Sequence, residues 1–224
     1  MMTIKQAIAI AGPLGYPSKM PGTSYGISAH ACKVGAKLAT VPGSVCHGCY
    51  ALKANYLYPS VQQAHAARLA GITNPLWTAA MVTLIHFSQT LKYKRGRKAL
   101  GKLAKGYHRW HDSGDLQSVA HLTKICAVAA MTPKIKHWLP TRELGFVKAY
   151  QAAGGIVPKN LVIRVSATMI DGDPSQAWFN TSRVHSDKPA RGARLCPAPA
   201  QKGKCGDCRA CWNPRVKSVS YHKH

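Results

Sequence analysis

The chain has 224 residues and carries 31 Lys and Arg against 7 Asp and Glu, a formal net charge of +24 at neutral pH. Hydrophobic residues make up 46% of it and its mean hydropathy is −0.15, which excludes an intrinsically disordered basic tail. No apolar run approaches the roughly 18 residues that span a bilayer, so the expected partners of the positive surface are polyanions or phosphate-bearing small molecules, not membranes.

A chain of this length builds one ample core, and a single domain over 1–224 is expected. The stretch Ala7-Ile8-Ala9-Ile10-Ala11 stops at Gly12-Pro13, too short for a signal-peptide core, so the expected location is cytoplasmic. Residues 12–59 are dense in glycine and proline, from Gly12 and Pro13 through Pro21, Gly22, Pro42 and Gly43 to Pro59, and no helix of normal length survives there. So long a loop needs an organiser, and a bound metal is the expected one, with Tyr25, Tyr50, Tyr56 and Tyr58 shielding it from water.

Residues 60–106 read as a helical pair and a basic connector. Ser60 with Gln63 forms a capping-box pair for a helix over 61–70, and Asn74-Pro75 opens a second helix running to about Leu91. The run Lys92-Tyr93-Lys94-Arg95-Gly96-Arg97-Lys98, extended by Lys102 and Lys105, is either a solvated connector or a nucleic-acid contact in which Tyr93 stacks on a base. From 107 to 190 short strands alternate with helices: strands at Tyr107–His111, Ile135–Leu139, Leu161–Val165 and Ser182–Val184, helices at 116–131 and Glu143–Ala153. That alternation predicts an α/β fold with a parallel sheet, open or curled into a barrel, with ligands beyond the carboxyl ends of the strands. Cys126 sits at helical spacing from Leu122 and Ala129 and reads as core.

The residues just past those strand ends are polar: His111-Asp112-Ser113-Gly114-Asp115, Pro140-Thr141-Arg142-Glu143 and Ser166-Ala167-Thr168. In a chain so poor in carboxylates, Asp112, Asp115 and Glu143 stand out as general bases, and Arg142 and Arg164 as holders of anionic groups. Plainer roles compete. Asp115 and Thr141 suit helix N-caps, Glu143 suits a helix dipole, and His108 and His111 suit hydrogen-bonded structural imidazoles. Arg109 and Arg164 lie inside predicted strands and need partners if buried, for which Asp112 and Glu143 are candidates.

Cysteine carries the strongest signal. Cys196, Cys205, Cys208 and Cys211 are spaced C-x8-C-x2-C-x2-C within 191–213, and Pro197 follows the first. Two consecutive x2 spacings and a remote Cys-Pro match the ligand run of a 4Fe–4S cluster better than the paired C-x2-C of a zinc site. Cys32, Cys46 and Cys49 are spaced C-x13-C-x2-C. Three thiolates leave one iron of a cubane open to substrate or cofactor, whereas a zinc ion would recruit His30 or His47 as its fourth ligand. One cluster or two are compatible with these counts.

Lys19-Met20-Pro21-Gly22, Cys46-His47-Gly48-Cys49-Tyr50-Ala51, Arg109-Trp110-His111-Asp112-Ser113-Gly114-Asp115, Thr141-Arg142-Glu143 and Cys205-Gly206-Asp207-Cys208-Arg209-Ala210-Cys211-Trp212 together resemble the phage gene product 88 family, over residues 15 to 213. That family is similar to radical S-adenosylmethionine (SAM) enzymes, which implies a partial (β/α) barrel with a three-cysteine cluster at its mouth and long cysteine-rich loops at both ends of the chain. By this resemblance Cys32, Cys46 and Cys49 hold the open-site cluster, and Ser113-Gly114-Asp115 matches the turn that contacts the SAM amino group. Thirteen residues separate the first two cysteines where radical SAM enzymes usually have three, and Tyr50 follows the last cysteine instead of an aromatic preceding it.

Two functions follow as expectations. The first is an iron–sulfur enzyme of the host-cell cytoplasm that binds a small anionic ligand, with Ser113, Gly114, Asp115, Arg142, Arg164 and Ser166 around it. Its chemistry is radical SAM-like, or Lewis-acid hydrolysis of a phosphate-bearing thioester such as an acyl-CoA. The second is a basic nucleic-acid-binding protein, gripping through 92–105, in which iron–sulfur clusters or zinc only staple the fold.

Overall fold

The computed structural model describes residues 2–223. Thr3 and Gln6 close a reciprocal capping box that starts α1 (Ile4–Ala11). β1 (Thr23–Tyr25) and the short α2 (Val34–Ala39) follow, then α3 (Pro59–Gly71) and α4 (Trp77–Thr90). Strands and helices then alternate through β2 (Tyr107–Trp110), α5 (Val119–Met131), β3 (Lys136–Thr141), α6 (Leu144–Ala152) and β4 (Leu161–Ile170), before β5 (Thr181–His185), β6 (Arg194–Leu195) and β7 (Ser218–His222).

All seven strands join one parallel sheet in the order β1-β2-β3-β4-β5-β7-β6, as the alternation predicts. The sheet does not close on itself; β1 and β6 stand at its two ends. Its sequential order leaves the helices together on one face, where Trp77, Met81 and Ile85 of α4 and Leu122 and Ile125 of α5 pack with Tyr25, Trp110, Leu139 and Ile163 of the strands. Tyr25, Trp77 and Trp110 are fully buried in edge-to-face or tilted contact, and truncating one of the tryptophans costs roughly 3–5 kcal/mol. The opposite face carries Tyr107 and Trp138, and the C-terminal segment folds over it with Cys205, Cys211 and Trp212. No helix among the described residues is long and apolar enough to cross a membrane.

Several expectations need correction. The segment 12–59 contains a strand and a short helix of its own, and Tyr25 belongs to the core, its hydroxyl donating to the carbonyls of Ala11 and Arg68. Tyr58 is exposed. Pro59, not Ser60, opens α3, and Tyr58 at the N-cap makes no side-chain cap. Asn74 does shape the start of α4, but as a turn: its side-chain oxygen accepts from the Leu76 amide, and the helix begins at Trp77. β2 ends at Trp110 because His111 takes φ +53°, which turns the chain out of the sheet. α5 is capped by the Ser118 hydroxyl, leaving Asp115 free for another task. The long β4 runs five residues past Val165, and β6 and β7 complete the sheet beyond the predicted strands.

Candidate metal centre

The first cysteine group assembles at the carboxyl ends of β1 to β4. Cys32 follows a helical turn shortly after β1, and the next two amides, of Lys33 and Val34, donate to Glu143 Oε1 at 3.2 and 2.8 Å. Glu143 is the second residue past β3, so this buried carboxylate ties the Cys32 loop to the strand end. Cys46 is held from the other side. The Val45 amide donates to Thr168 O and the Ile170 amide to Gly43 O, both at 2.9 Å, pairing the loop with the overhang of β4. Tyr50, next to Cys49, donates its hydroxyl to Asp112 O at 2.8 Å past the end of β2.

These anchors crowd the thiols. A Cβ built on Gly35 would stand 3.1 Å from Cys32 Cβ and 3.5 Å from both the Cys32 and the Cys46 sulfur, so the glycine keeps a cradle open beside them. Burial pushes the Cys32 thiol up to about 12, reinforced by Asp115, Cys46 and Cys49 and opposed by the Arg142 guanidinium. The Cys46 thiol is raised for the same leading reason. Buried, protonated thiols beside one another are a donor set that gains by surrendering its protons to a cation. Among the described residues, no three Cys, His, Asp or Glu side chains converge to hold a single ion.

The predicted acids have separate tasks. Asp115 receives the Thr141 hydroxyl at 2.6 Å and the amides of Leu116 and Arg142, each at 2.8 Å, and so clamps the end of β2 to the end of β3. Burial still lifts its carboxyl to about 6, with the Thr141, Arg142 and Leu116 hydrogen bonds pulling the other way. Thr141 in turn accepts from the Glu143 amide at 3.0 Å. Asp112 is different: its Oδ1 is shielded from solvent and has no hydrogen-bond partner among the described residues. Nε of Arg142 is likewise shielded and unpartnered. Ser113 donates its hydroxyl to Ile27 O, and Gly114, at φ +75°, packs so closely that a Cβ would stand 2.3 Å from the Ile27 side chain. Ser166 is paired with Ser182 across β4 and β5 at 3.0 Å.

Arg164 lies far from this rim in role. In place of the expected carboxylate partner, its fully buried guanidinium donates to the carbonyls of Cys211, Thr181, Val216, Lys217, Ala210 and Asn213 at 2.9–3.5 Å. It anchors the second cysteine group against the face of the sheet that the helices leave bare. There the Cys205 amide donates to Lys19 O, the Cys196 amide to Ser220 O, and the Trp212 indole to His108 O. Cys211 Sγ stands 3.1 Å from the Tyr221 hydroxyl, and burial pushes its thiol up to about 12. Cys196 raises the thiols of Cys205 and Cys211, and Cys208 those of Cys196 and Cys205, so the four share one neighbourhood. Cys126 is buried in the helical core as expected.

His108 is the structural imidazole expected, with Nδ1 2.8 Å from the Thr23 hydroxyl. His111 is not: it is buried, and both ring nitrogens lack partners. Arg68 and Arg109 matter more than their positions in the sequence suggest. Arg68 reaches from α3 to donate to Pro13 O and Gly26 O, and Arg109 stacks on Trp138 at 4.5 Å. Burial works against the charge of Arg109, but Tyr50 and Asp112 on the rim side and Tyr221 and Cys211 on the other more than offset it. A single arginine flanked by Ala66, Ala67, Leu69 and Ala70 was the available signal for Arg68.

No curated protein and no solved structure matches this chain significantly. The model of the gene product 88 family matches residues 3–214, nearly the whole length. The chain therefore belongs to the gene product 88 family of bacteriophage proteins.

Proposed function

We propose that this chain is an iron–sulfur enzyme in which Cys32, Cys46 and Cys49 hold a 4Fe–4S cluster with one open iron, facing a small anionic ligand at the carboxyl rim. The observation that carries the reading is the cradle at Gly35: two of the three thiols border it, the third couples to Cys32, and Arg142 bears on the same group with its unpartnered Nε. Soft thiolates beside a fixed cation suit an iron–sulfur centre that receives an anion. Cys196, Cys205, Cys208 and Cys211 would hold a second, fully ligated cluster, and the sheet would curl as a partial (β/α) barrel similar to the radical SAM core.

When bound, the open-site cluster supplies either a Lewis-acidic iron or a single electron. The chain's own residues do the rest. Arg142 takes the ligand's carboxylate or phosphate. Asp112, with its free buried oxygen beside Arg68 and Arg109, is the proton acceptor. Asp115 and Glu143 position the two strand ends and the Cys32 loop, their oxygens already accepting from the chain. That engagement also favours the alternative, a basic nucleic-acid-binding protein with purely structural clusters or zinc.

The test is electron paramagnetic resonance on the anaerobically reconstituted, reduced protein, before and after adding SAM or, separately, coenzyme A. A ligand-perturbed signal that is lost in Arg142→Ala supports the reading, and the perturbing compound selects radical or hydrolytic chemistry. A signal indifferent to both ligands, or zinc without sulfide, refutes it.

A further inference from the structure

A concentration of cations without ion-pair partners lies at the end of the sheet opposite the rim, beside Cys208 of the second cysteine group. A groove of about 840 Å³ opens at the amino ends of β3 and β4, lined by Lys134, Lys136, Lys159, Arg194, Arg209 and Arg215. Three of these cations come from the strand ends and three from the C-terminal segment folded across them, so two separate parts of the chain bring like charges to one opening. Asp207 is the only acid along it, and none of the six cations takes part in the one ion pair found among the described residues, Arg183 with Asp173. Five of the six are exposed, while Arg209 and Lys136 lie against the Tyr107 ring at 5.1 and 5.9 Å. Like charges gathered this way repel and cost stability unless a polyanion neutralises them.

We infer that this groove binds the phosphate backbone of a nucleic-acid duplex. Tyr107 is covered by its two cations and Trp212 is buried, which leaves no ring in the groove to stack an unpaired base. Readout is then of the backbone, independent of sequence. In the basic run 92–105, Lys94 is buried and donates its ammonium to Pro17 O, while Lys98, Lys102 and Lys105 are exposed, so the run serves as the comparison surface. The inference stands apart from the iron–sulfur reading, since it invokes no metal.

The experiment is fluorescence anisotropy of a labelled, random-sequence DNA duplex against the full chain, over about 50 to 200 mM salt. The triple variant Lys134→Ala/Lys159→Ala/Arg215→Ala is compared with Lys98→Ala/Lys102→Ala/Lys105→Ala, an equal loss of exposed charge elsewhere. The groove variant is expected to bind on the order of a hundredfold more weakly, with the slope of log affinity against log salt reduced by about three, while the other variant keeps the slope of the parent. Equal losses in both variants, no salt-dependent affinity in the parent, or tripolyphosphate binding as tightly as the duplex would each overturn it. Thermal melts identical among the three chains guard against misfolding as the cause.

Discussion

The two cysteine groups are held by opposite means. At the carboxyl rim, carboxylates grip backbone amides: Glu143 holds the Cys32 loop, and Asp115 joins β2 to β3. On the bare face of the sheet, a cation grips backbone carbonyls, as Arg164 gathers six of them from the C-terminal segment and its neighbours. The rim retains buried polar atoms with nothing to bond, on Asp112, Arg142 and His111, whereas the buried guanidinium nitrogens of Arg164 are all engaged. Trp138 Nε1 and Arg109 Nε are also buried without partners on the second side, so the contrast is between single groups. Asp112 and Arg142 keep polar atoms that a ligand can engage, and Arg164 spends its nitrogens on holding the fold.

The largest effect is expected where the grip is tightest. Arg164→Met strands several buried carbonyls at once and should cost on the order of 4 kcal/mol in urea unfolding, because each lost partner exposes an unsatisfied group. A cost below about 1 kcal/mol would mean that the carbonyls find other donors and that the two regions are not so different. Glu143→Ala should cost less, about 2 kcal/mol, and its mark is local. Alkylation of Cys32 in the metal-free chain should accelerate several-fold, with Glu143→Gln restoring part of the protection because its amide oxygen still accepts. Unchanged Cys32 reactivity would show that the loop is held by something other than Glu143.

The middle of this design was readable from residue order and its periphery was not. Leu161-Val162-Ile163 and Trp138-Leu139 are compact apolar runs bounded by turn formers, so β3, β4 and the helices between them announce themselves. β1 is only Thr23-Ser24-Tyr25 between two glycines, and β7 is Ser218-Val219-Ser220-Tyr221-His222, half of it polar, because both are fixed by pairing with distant strands. The cysteine groups were legible by spacing, and Arg142, Asp112 and Asp115 by their places after strands. The partners of Arg164 were not, since backbone carbonyls are present at every residue and leave no trace in composition.

Acid–base behaviour offers a smaller and sharper comparison. Burial lifts the Asp115 carboxyl from 3.8 to about 6. Between those values the folded chain keeps a proton that the unfolded chain has released, so the stability owed to this group is full below 3.8 and falls as the pH rises through about 6. Asp115→Asn should flatten that decline in metal-free protein, as read from urea midpoints across the window, whereas Asp171→Asn should not, because the Ser186 hydrogen bonds hold Asp171 below its ordinary range. A decline that persists in Asp115→Asn would assign it to another group.

The most direct measurement is iron and acid-labile sulfide per chain after anaerobic reconstitution, in the parent and in Cys32→Ser/Cys46→Ser/Cys49→Ser. The account predicts about eight irons in the parent and about four in the variant, with the ligand-sensitive resonance gone and the remainder unperturbed. An undiminished iron content in the variant would contradict it, because the three thiols at the rim would then hold no cluster.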